Sequence, residues 1–434
     1  MKYAIVTFGC RVNQADSLRI EEDLRARGAS AAPSSDADLV VVNTCSVTAT
    51  ADQGARQAIR RIARDNPGAR LVVTGCYATR CSDEVAALPN VMRVVGNDRK
   101  DSLVRDLFET AEVPTSVRFG DGEGPCGLME PGVAGRTAFT LRVQTGCEER
   151  CAYCIIPSTR GAGRSLPIPD VVRAVEQAAA SGFREVALTG VHLGSYGRDL
   201  EPRTSLLTLL AELDRCRADV VFRVSSLEPM DCIEAMVDLL ASSGGRFAPH
   251  FHLPLQHASD RVLAAMRRPY TLEYYRRLVD GIVERMPNAS IGSDMIAGFP
   301  GETDDDFRTN LEYLPGSPLT HLHVFPYSER PGTAAAAIGG RVDGVVVRER
   351  SRALRAIGTG LAARFRASQV GTVRPGLTLE DGSLVVTDNY LKVRIAPGLP
   401  RNARVAVRIE EGGESLRGVV VAEGPAEGCR PGCA

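Results

Sequence analysis

Residues 146–157 read GCEERCAYCIIP and place three cysteines, Cys147, Cys151 and Cys154, in the spacing C-x3-C-x2-C. Three thiolates on one short loop can hold three irons of a [4Fe–4S] cluster and leave the fourth iron open to an exogenous ligand. A structural zinc site takes four ligands and usually uses C-x2-C pairs, so the spacing does not favour zinc. An odd number of cysteines in a short loop also argues against a disulfide. The loop therefore predicts an iron–sulfur cluster with one open position.

The composition is that of a globular protein in a reducing compartment. A chain of 434 residues should form two or three domains. It has 12 cysteines and no signal-peptide pattern at its start, which favours metal or redox use and predicts a cytoplasmic location. No apolar run is long enough to span a membrane. The net charge of −1 does not indicate a nucleic-acid-binding protein, so such binding would need a local basic surface.

The first part of the chain, residues 1–115, alternates apolar runs with helical stretches. Because the runs are rich in β-branched residues and separated by helices, they predict a parallel, doubly wound α/β sheet. The predicted strands are residues 4–7, 39–43, 71–74 and 92–95, and the predicted helices include residues 14–27 and 51–64.

Three further cysteines each follow one of these strands. Cys10 comes after the first strand, Cys45 after the second and Cys76 after the third. The carboxyl ends of parallel strands meet at the edge where open α/β sheets bind ligands. Gly9 and Gly75 precede two of the cysteines and permit sharp turns there. We therefore expect a second three-thiolate cluster, although cysteines are also often buried for packing alone.

Residues 138–367 show a repeated strand–helix pattern. The predicted strands are residues 138–143, 185–189, 220–224, 250–253, 291–296 and 321–325. Six such units predict a partial (β/α)6 barrel with its chemistry at the carboxyl ends of the strands. Those ends carry the segments TGVHLGSYG (189–197), SSLEP (225–229), HLPLQ (252–256), DMIAGFPGE (294–302) and HVFPYS (323–328). Tight turns and structural histidines are the alternative interpretation of these segments.

The C-terminal part predicts a basic helix followed by a small antiparallel β-barrel. Apolar residues at helical spacing (Leu354, Ile357, Leu361, Phe365) predict a helix whose arginines face outward and suit phosphate contact. Those arginines are Arg341, Arg348, Arg350, Arg352, Arg355, Arg364, Arg366 and Arg374. Five short runs of alternating pattern between residues 377 and 421 then predict an OB-like barrel at 368–425. Residues 116–137 read as a Gly-rich linker, and residues 426–434 as a tail without an assigned role.

The cysteine loop, with the aromatic Tyr153 before its third cysteine, resembles the radical S-adenosylmethionine (SAM) enzymes. GCRVNQ (9–14), NTCSVT (43–48) and TGCYA (74–78) resemble the N-terminal domain of one of their families, the methylthiotransferases. VTDNYLKVR (386–394) resembles the TRAM domain, a tRNA-binding β-module. The resemblance covers essentially the whole chain. It implies a methylthiotransferase domain at 1–115, a radical SAM domain at 138–367 and TRAM at 368–425.

This resemblance implies two [4Fe–4S] clusters, with SAM as the second cofactor. Cys147, Cys151 and Cys154 would form the catalytic cluster site that reduces SAM, and Cys10, Cys45 and Cys76 would hold an auxiliary cluster. Asn13 and Asn43 would line a pocket beside the auxiliary cluster. The implied SAM-binding residues are Tyr153, Thr189, Gly190, Ser226, Glu228, Gln256 and Asp294. Tyr390, Lys392 and Arg394 would bind RNA.

GCRVNQ and FPYSERPGT (325–333) are most similar to the branch of the family that acts on N6-threonylcarbamoyladenosine in tRNA. The implied reaction inserts a methylthio group at C2 of this nucleoside, which lies next to the anticodon. The implied partners are the tRNA anticodon loop and an electron donor such as flavodoxin or ferredoxin, and we expect a monomer.

Three alternatives stay open. Two are methylthiotransferases, one acting on isopentenyladenosine in tRNA and one on an aspartate of a ribosomal protein. The third is a non-catalytic iron–sulfur protein that binds RNA or transfers electrons.

Overall fold

The computed structural model describes residues 1–109, 137–411 and 415–423. The predicted linker, apart from Thr137, and the predicted tail lie outside these residues. No helix in the described residues is both long and apolar enough to cross a membrane. The chain forms two compact units, and each unit is built from segments that are not consecutive in the sequence. One comprises Met1–Met129, Gln144–Arg164 and Ser328–Ala336, and the other Glu130–Val143, Ser165–Tyr327 and Ala337–Ala434. The predicted domain boundaries stay a prediction.

The first unit contains a five-stranded parallel sheet in the order β2-β1-β3-β4-β5. Its strands are β1 (Lys2–Thr7), β2 (Ser30–Ala31), β3 (Leu39–Thr44), β4 (Arg70–Gly75) and β5 (Val91–Val95). Its first helices are α1 (Arg11–Ala26), α2 (Ala49–Asp65), α3 (Cys76–Arg80), α4 (Ser82–Ala86) and α5 (Leu103–Glu109). The predicted strands and helices are all present, with ends shifted by a few residues.

Two apolar cores cover the two faces of this sheet. One core joins α2, with Ile59 and Ile62, to Val40 and Val42 of β3. The other joins α1 to the same strand through Val41. Alternate residues of a strand point to opposite faces, so a run such as Leu39–Thr44, buried along its whole length, is what a sheet covered on both sides requires.

The second unit begins with six parallel strands in two three-stranded sheets, ordered β10-β9-β6 and β11-β12-β13. These strands are β6 (Ala138–Arg142), β9 (Glu185–Thr189), β10 (Val221–Val224), β11 (His250–His252), β12 (Ser290–Ala297) and β13 (His321–Pro326). A parallel bridge between Phe222 and Phe247 joins β10 to the chain just before β11. Between β6 and β9 come two-residue strands, β7 (Gln144–Thr145) and β8 (Arg164–Ser165). The arrangement is the open, six-stranded parallel one that the sequence predicts.

Helices separate the strands of this unit. They are α7 (Ile168–Ala180), α8 (Leu206–Arg215), α9 (Glu234–Ser242), α10 (Asp260–Ala265), α11 (Leu272–Arg285) and α12 (Asp304–Tyr313), while α6 (Ile156–Arg160) belongs to the first unit. The long α13 (Gly344–Gln369) follows β13 and covers one face of it, since Gly358 lies against Leu322. Leu354 and Leu361 are buried, as the predicted apolar seam requires.

The C-terminal strands close into a barrel in the order β14-β15-β16-β18-β17. They are β14 (Val373–Leu379), β15 (Leu384–Thr387), β16 (Lys392–Arg394), β17 (Arg404–Glu411) and β18 (Leu416–Glu423). Val385, Val393 and Val407 fill its interior and are fully buried. This confirms the predicted small β-barrel, and the fold class as a whole agrees with the prediction.

Candidate functional site

Cys10, Cys45 and Cys76 come together at the carboxyl edge of the first sheet. Cys10 precedes α1, Cys45 follows β3 directly, and Cys76 is the first residue of α3 after β4. Burial, and next the neighbouring Cys10 and Cys76, raise the pKa of the Cys45 thiol to about 11. The three cysteines thus follow the adjacent strands β1, β3 and β4 at one edge of the sheet.

Glycines make the close approach of these loops possible. Gly9 has φ +91°, and a Cβ built on it would lie 2.6 Å from Cys45 Cβ and 2.7 Å from Cys45 Sγ. Gly75 has φ +100°, and a Cβ there would lie 2.2 Å from the carbonyl oxygen of Thr44. Any other residue at either position would strain the backbone and push the loops apart.

Three cysteines that follow separate strands of one sheet form a donor set that fits three irons of a [4Fe–4S] cluster and leaves one iron open. A thiol with a raised pKa stays protonated at neutral pH unless a metal displaces its proton. The residues present therefore fit the predicted auxiliary cluster.

Cys147, Cys151 and Cys154 lie on the loop before α6, and this loop belongs to the same compact unit as the first trio. All three are partly exposed. Gly146 has φ +76°, and a Cβ on it would lie 1.9 Å from the carbonyl oxygen of Ala162, so the loop folds tightly back on itself. The amide of Cys147 donates to the carbonyl of Gly161 at 3.0 Å. These thiols fit the predicted SAM-reducing cluster.

Arg160, at the end of α6, connects the loop of the second trio to the surroundings of the first. Its side chain is 3% exposed, and it donates to Asn13 Oδ1 at 2.5 Å and to Asp16 Oδ2 at 3.2 Å. Burial opposes its charge, but Asp16 and then Cys76 and Cys10 outweigh burial and raise the pKa of Arg160. The guanidinium therefore stays charged beside the first trio.

Asp16 is the anion of a buried charge network that also holds Lys100. The Asp16 side chain is 0% exposed, and Lys100 Nζ donates to it at 2.9 Å and to Asn43 Oδ1 at 3.1 Å. Burial lowers the pKa of Lys100, which Asp16 partly offsets. Two cations and one carboxylate leave an excess of positive charge, which suits the negative charge of cluster-bound thiolates. The sequence gives no sign of this network, because its members are far apart along the chain.

Asn13 and Asn43, predicted as pocket residues, are both buried and hydrogen-bonded to the backbone. Asn13 Nδ2 donates to the carbonyls of Phe8 (2.8 Å) and Thr44 (2.9 Å), and Asn43 Nδ2 donates to the carbonyl of Asn13 at 2.8 Å. In this structure they hold the cysteine-bearing loops in place.

Arg330 forms a second buried ion pair, with Asp52, in the unit that carries the first trio. It donates to Asp52 Oδ2 at 2.5 Å and to Ser46 Oγ at 2.9 Å, and Arg80 donates to the same two side chains. Ser46 follows Cys45 directly. The SERPGT segment therefore fixes the loop that carries this cysteine.

The predicted SAM-binding residues of the second unit lie at or near the carboxyl ends of adjacent strands. Thr189 ends β9 and is buried, and Gly190 follows it. Ser226 lies just after β10 and is exposed, while Glu228 pairs with the buried Arg268. Gln256, buried and with φ +69°, follows β11, and Asp294 lies within β12. Tyr153 lies apart from these residues in the sequence, on the cysteine loop of the first unit.

Three residues of this region form a compact group that the sequence did not predict as a unit. One ligand-type atom each from His252, Asp294 and His323 lies within 4.8 Å of the others. Nδ1 of His252 lies 2.9 Å from Ser226 Oγ, and Nε2 lies 3.0 Å from Asp294 Oδ1. His192 is different: it is buried and pairs with Asp231, as a structural histidine would.

His321 lies on the same strand as His323. It should make the folding stability of the protein decrease as the pH falls. Burial, and next the neighbouring His323 and His252, lower its pKa from 6.5 to about 4. Between these pH values the unfolded chain binds a proton that the folded protein does not, so stability is complete above pH 6.5 and falls towards pH 4, by up to about 3 kcal/mol. We expect His321→Gln to show a shallower fall of melting temperature between pH 7.5 and 5.0 than wild type. Parallel curves would contradict this assignment.

The predicted RNA-binding residues lie on the C-terminal barrel. Lys392 and Arg394 are exposed, and Tyr390 is 46% exposed. The Arg223 guanidinium lies 4.8 Å from its centre, and the His250 ring lies at the same centroid distance.

The prediction that the arginines of α13 and its flanks all face outward was wrong. Arg350 is buried and pairs with Glu302 and Asp304, and Arg374 pairs with Asp388. Arg364 is exposed, but its guanidinium donates to the backbone carbonyls of Pro315 and Ser317. Exposed arginines remain at Arg341, Arg348, Arg352 and Arg355.

Two family models match the chain. One is described as uncharacterized protein family UPF0004 and covers residues 2–96. The other is the radical SAM superfamily, which covers residues 141–314. The first match covers the sheet that carries the first cysteine trio, and the second covers the cysteine loop and the strands from β6 to β12.

Curated relatives match over nearly their whole length. The threonylcarbamoyladenosine tRNA methylthiotransferase MtaB of Aquifex aeolicus is 37% identical, over 91% of this chain and 96% of the relative. The protein of the same description from Bacillus subtilis is 34% identical, over 90% and 89%. A tRNA-2-methylthio-N(6)-dimethylallyladenosine synthase from Sphingopyxis alaskensis is 33% identical, over 96% of both chains.

Solved structures share the fold. The radical SAM methyltransferase TsrM from Kitasatospora setae superimposes with a TM-score of 0.55 at 19% identity, covering 77% of this chain and 76% of TsrM. The cobalamin-dependent SAM radical enzyme OxsB gives a TM-score of 0.51 at 10% identity, over 83% of this chain and 56% of OxsB.

Proposed function

The chain belongs to the radical SAM methylthiotransferase family, and from this membership we propose that it converts N6-threonylcarbamoyladenosine next to the anticodon of tRNA to its 2-methylthio derivative. The observation that carries the proposal is the 37% identity to the Aquifex aeolicus enzyme over 96% of that enzyme's length. The two cysteine trios within one compact unit support it from the structure.

A [4Fe–4S] cluster and SAM are the cofactors of the radical SAM superfamily, and this chain matches its model across residues 141–314. We propose that Cys147, Cys151 and Cys154 hold that cluster and that a second cluster is held by the trio of Cys10, Cys45 and Cys76. When bound, these groups and SAM supply radical and sulfur-transfer chemistry at adenine C2, a carbon without an acidic proton.

The protein's own residues prepare this site in three ways. The glycines at 9, 75 and 146 let the cysteine loops approach one another. Arg160 and Lys100 provide positive charge behind the first trio, where thiolates need compensation. Burial of Cys45 and Cys76 excludes water from one side of the site.

The RNA partner would be held by the C-terminal barrel. The exposed Lys392 and Arg394 can contact phosphates, and the exposed part of the Tyr390 ring can stack on an unpaired base. The substrate nucleoside lies in a loop, where bases can be splayed out for recognition. We propose that the enzyme acts as a monomer in the cytoplasm and takes electrons from a flavodoxin or ferredoxin.

The substrate assignment is tested by nucleoside mass spectrometry. Anaerobically reconstituted enzyme, SAM and dithionite are incubated with two tRNAs, one carrying threonylcarbamoyladenosine and the other dimethylallyladenosine. We expect a 2-methylthio product from the first only. A product from the second alone would move the chain to the branch of the Sphingopyxis alaskensis relative.

A further inference from the structure

A group of polar side chains lies on one face of the sheet β11-β12-β13 and on the loop after β10, and no role in substrate binding has been assigned to it. We call Ser226, His252, Asp294 and His323 the inner cluster. His252 ends β11, Asp294 lies in β12, and His323 is the register partner of Asp294 in β13. Neighbouring strands lie about 4.8 Å apart, so side chains on the same face of three strands meet. The sheet thus holds three members of the inner cluster, and Ser226, on the loop after β10, contacts His252.

The face that carries the inner cluster is the one opposite α13. Leu322 faces that helix, since a Cβ on Gly358 of α13 would lie 3.2 Å from Leu322 Cβ. Successive strand residues alternate between faces, so His321, His323 and Phe325 lie on the face away from α13. His323 is exposed, and the Phe325 side chain is 42% exposed. Polar and aromatic side chains therefore line open space.

The chemistry of the inner cluster matches one of the two nucleosides named for the relatives. A threonylcarbamoyl group carries a carboxylate, a hydroxyl and carbamoyl N–H groups, whereas a dimethylallyl group is apolar. His323 and Ser226 can donate to a carboxylate or a hydroxyl, and Asp294 can accept from N–H groups. An apolar group over the same side chains would shield His323 from water without offering it a hydrogen bond, which is costly.

We propose that the inner cluster is the subsite that reads the threonylcarbamoyl group, with the adenine stacked on Phe325. Phe325 lies two residues after His323 on the same face, about 6.6 Å further along the strand. With this spacing, the adenine can stack on Phe325 while its threonylcarbamoyl substituent contacts the inner cluster. The inference rests on the proposed function. It assigns Ser226 and Asp294 to substrate binding, whereas the sequence predicted them as SAM contacts.

The experiment compares the binding of two anticodon stem–loops, one with threonylcarbamoyladenosine and one with unmodified adenosine, to the cluster-loaded full chain by fluorescence anisotropy. Wild type should prefer the modified loop. His323→Phe removes one hydrogen bond to a charged or polar group and should reduce this preference about 10- to 150-fold. His321→Gln changes the neighbouring histidine outside the inner cluster and should keep it. Iron content and melting temperature show that each variant is folded.

Three outcomes overturn the proposal. One is a wild type without preference for the modified loop, and another is a His323→Phe variant that keeps the wild-type preference. The third is a preference that EDTA removes and Zn²⁺ restores, which would make His252, Asp294 and His323 metal ligands. If wild type methylthiolates the threonylcarbamoyl tRNA while His323→Phe stays fully selective, this inference fails and the proposed function stands.

Discussion

Replacing Cys45 by alanine is expected to abolish methylthiolation while SAM cleavage to 5′-deoxyadenosine continues, whereas replacing Cys151 by alanine should abolish both. Each trio provides only three thiolates, so a cluster that loses one keeps two protein ligands and is not retained. Product formation should fall below about 1% of wild type in both variants, and iron content should fall from roughly eight to roughly four per chain. Anaerobic iron analysis and chromatography of the reaction products measure these effects.

Cys81→Ala is the matched control for this pair of variants. Cys81 lies in the same unit but outside both trios, packed partly against the core that contains Ile59. It should keep both activities and the full iron content. If Cys45→Ala kept about eight irons and formed product, the assignment of the first trio to a cluster would be wrong.

Asp16→Asn should destabilise the first unit strongly. The carboxylate of Asp16 is completely buried between Lys100 and Arg160, whose side chains are each 3% exposed. Its removal leaves two buried cations without their anion, and breaking such a pair costs about 3–5 kcal/mol. Hydrogen exchange of the β3 amides measures the opening of this sheet alone, which is preferable to global unfolding in a chain with two compact units.

Asp36→Asn serves as the comparison for Asp16→Asn. Asp36 pairs with Lys2 in the same unit, but their side chains are 65% and 52% exposed. Exposed ion pairs contribute little to stability, because solvent screens them. Similar exchange rates in the two variants would show that the buried network does not stabilise the sheet.

The placement of the first cysteine trio could be predicted from the sequence because parallel strands share one carboxyl edge. Local patterns locate each strand, and Cys10, Cys45 and Cys76 each follow one, so their convergence needs no knowledge of the packing. The apolar seam of α13 at Leu354 and Leu361 is predictable for a similar reason, since helical spacing alone defines it.

The contacts that complete the site could not be predicted in this way. Arg160 and Asp16 are 144 residues apart in sequence, and Arg330 and Asp52 are 278 apart. Only the three-dimensional fold brings such partners together. Whether an arginine side chain is exposed or buried is equally difficult to predict from the sequence. Arg350 lies on a helix among exposed arginines, yet it pairs with Glu302, which no local pattern indicates.

The two compact units are interleaved along the polypeptide, and this limits how the gene can be divided. A fragment that stops at Glu109 would contain the whole first sheet but neither Arg160 nor Arg330. Asp16 would then keep Lys100 alone, and Asp52 would keep Arg80 alone. The sheet alone would therefore lack the two buried arginines that add positive charge beside its cysteines, because segments encoded after it supply them.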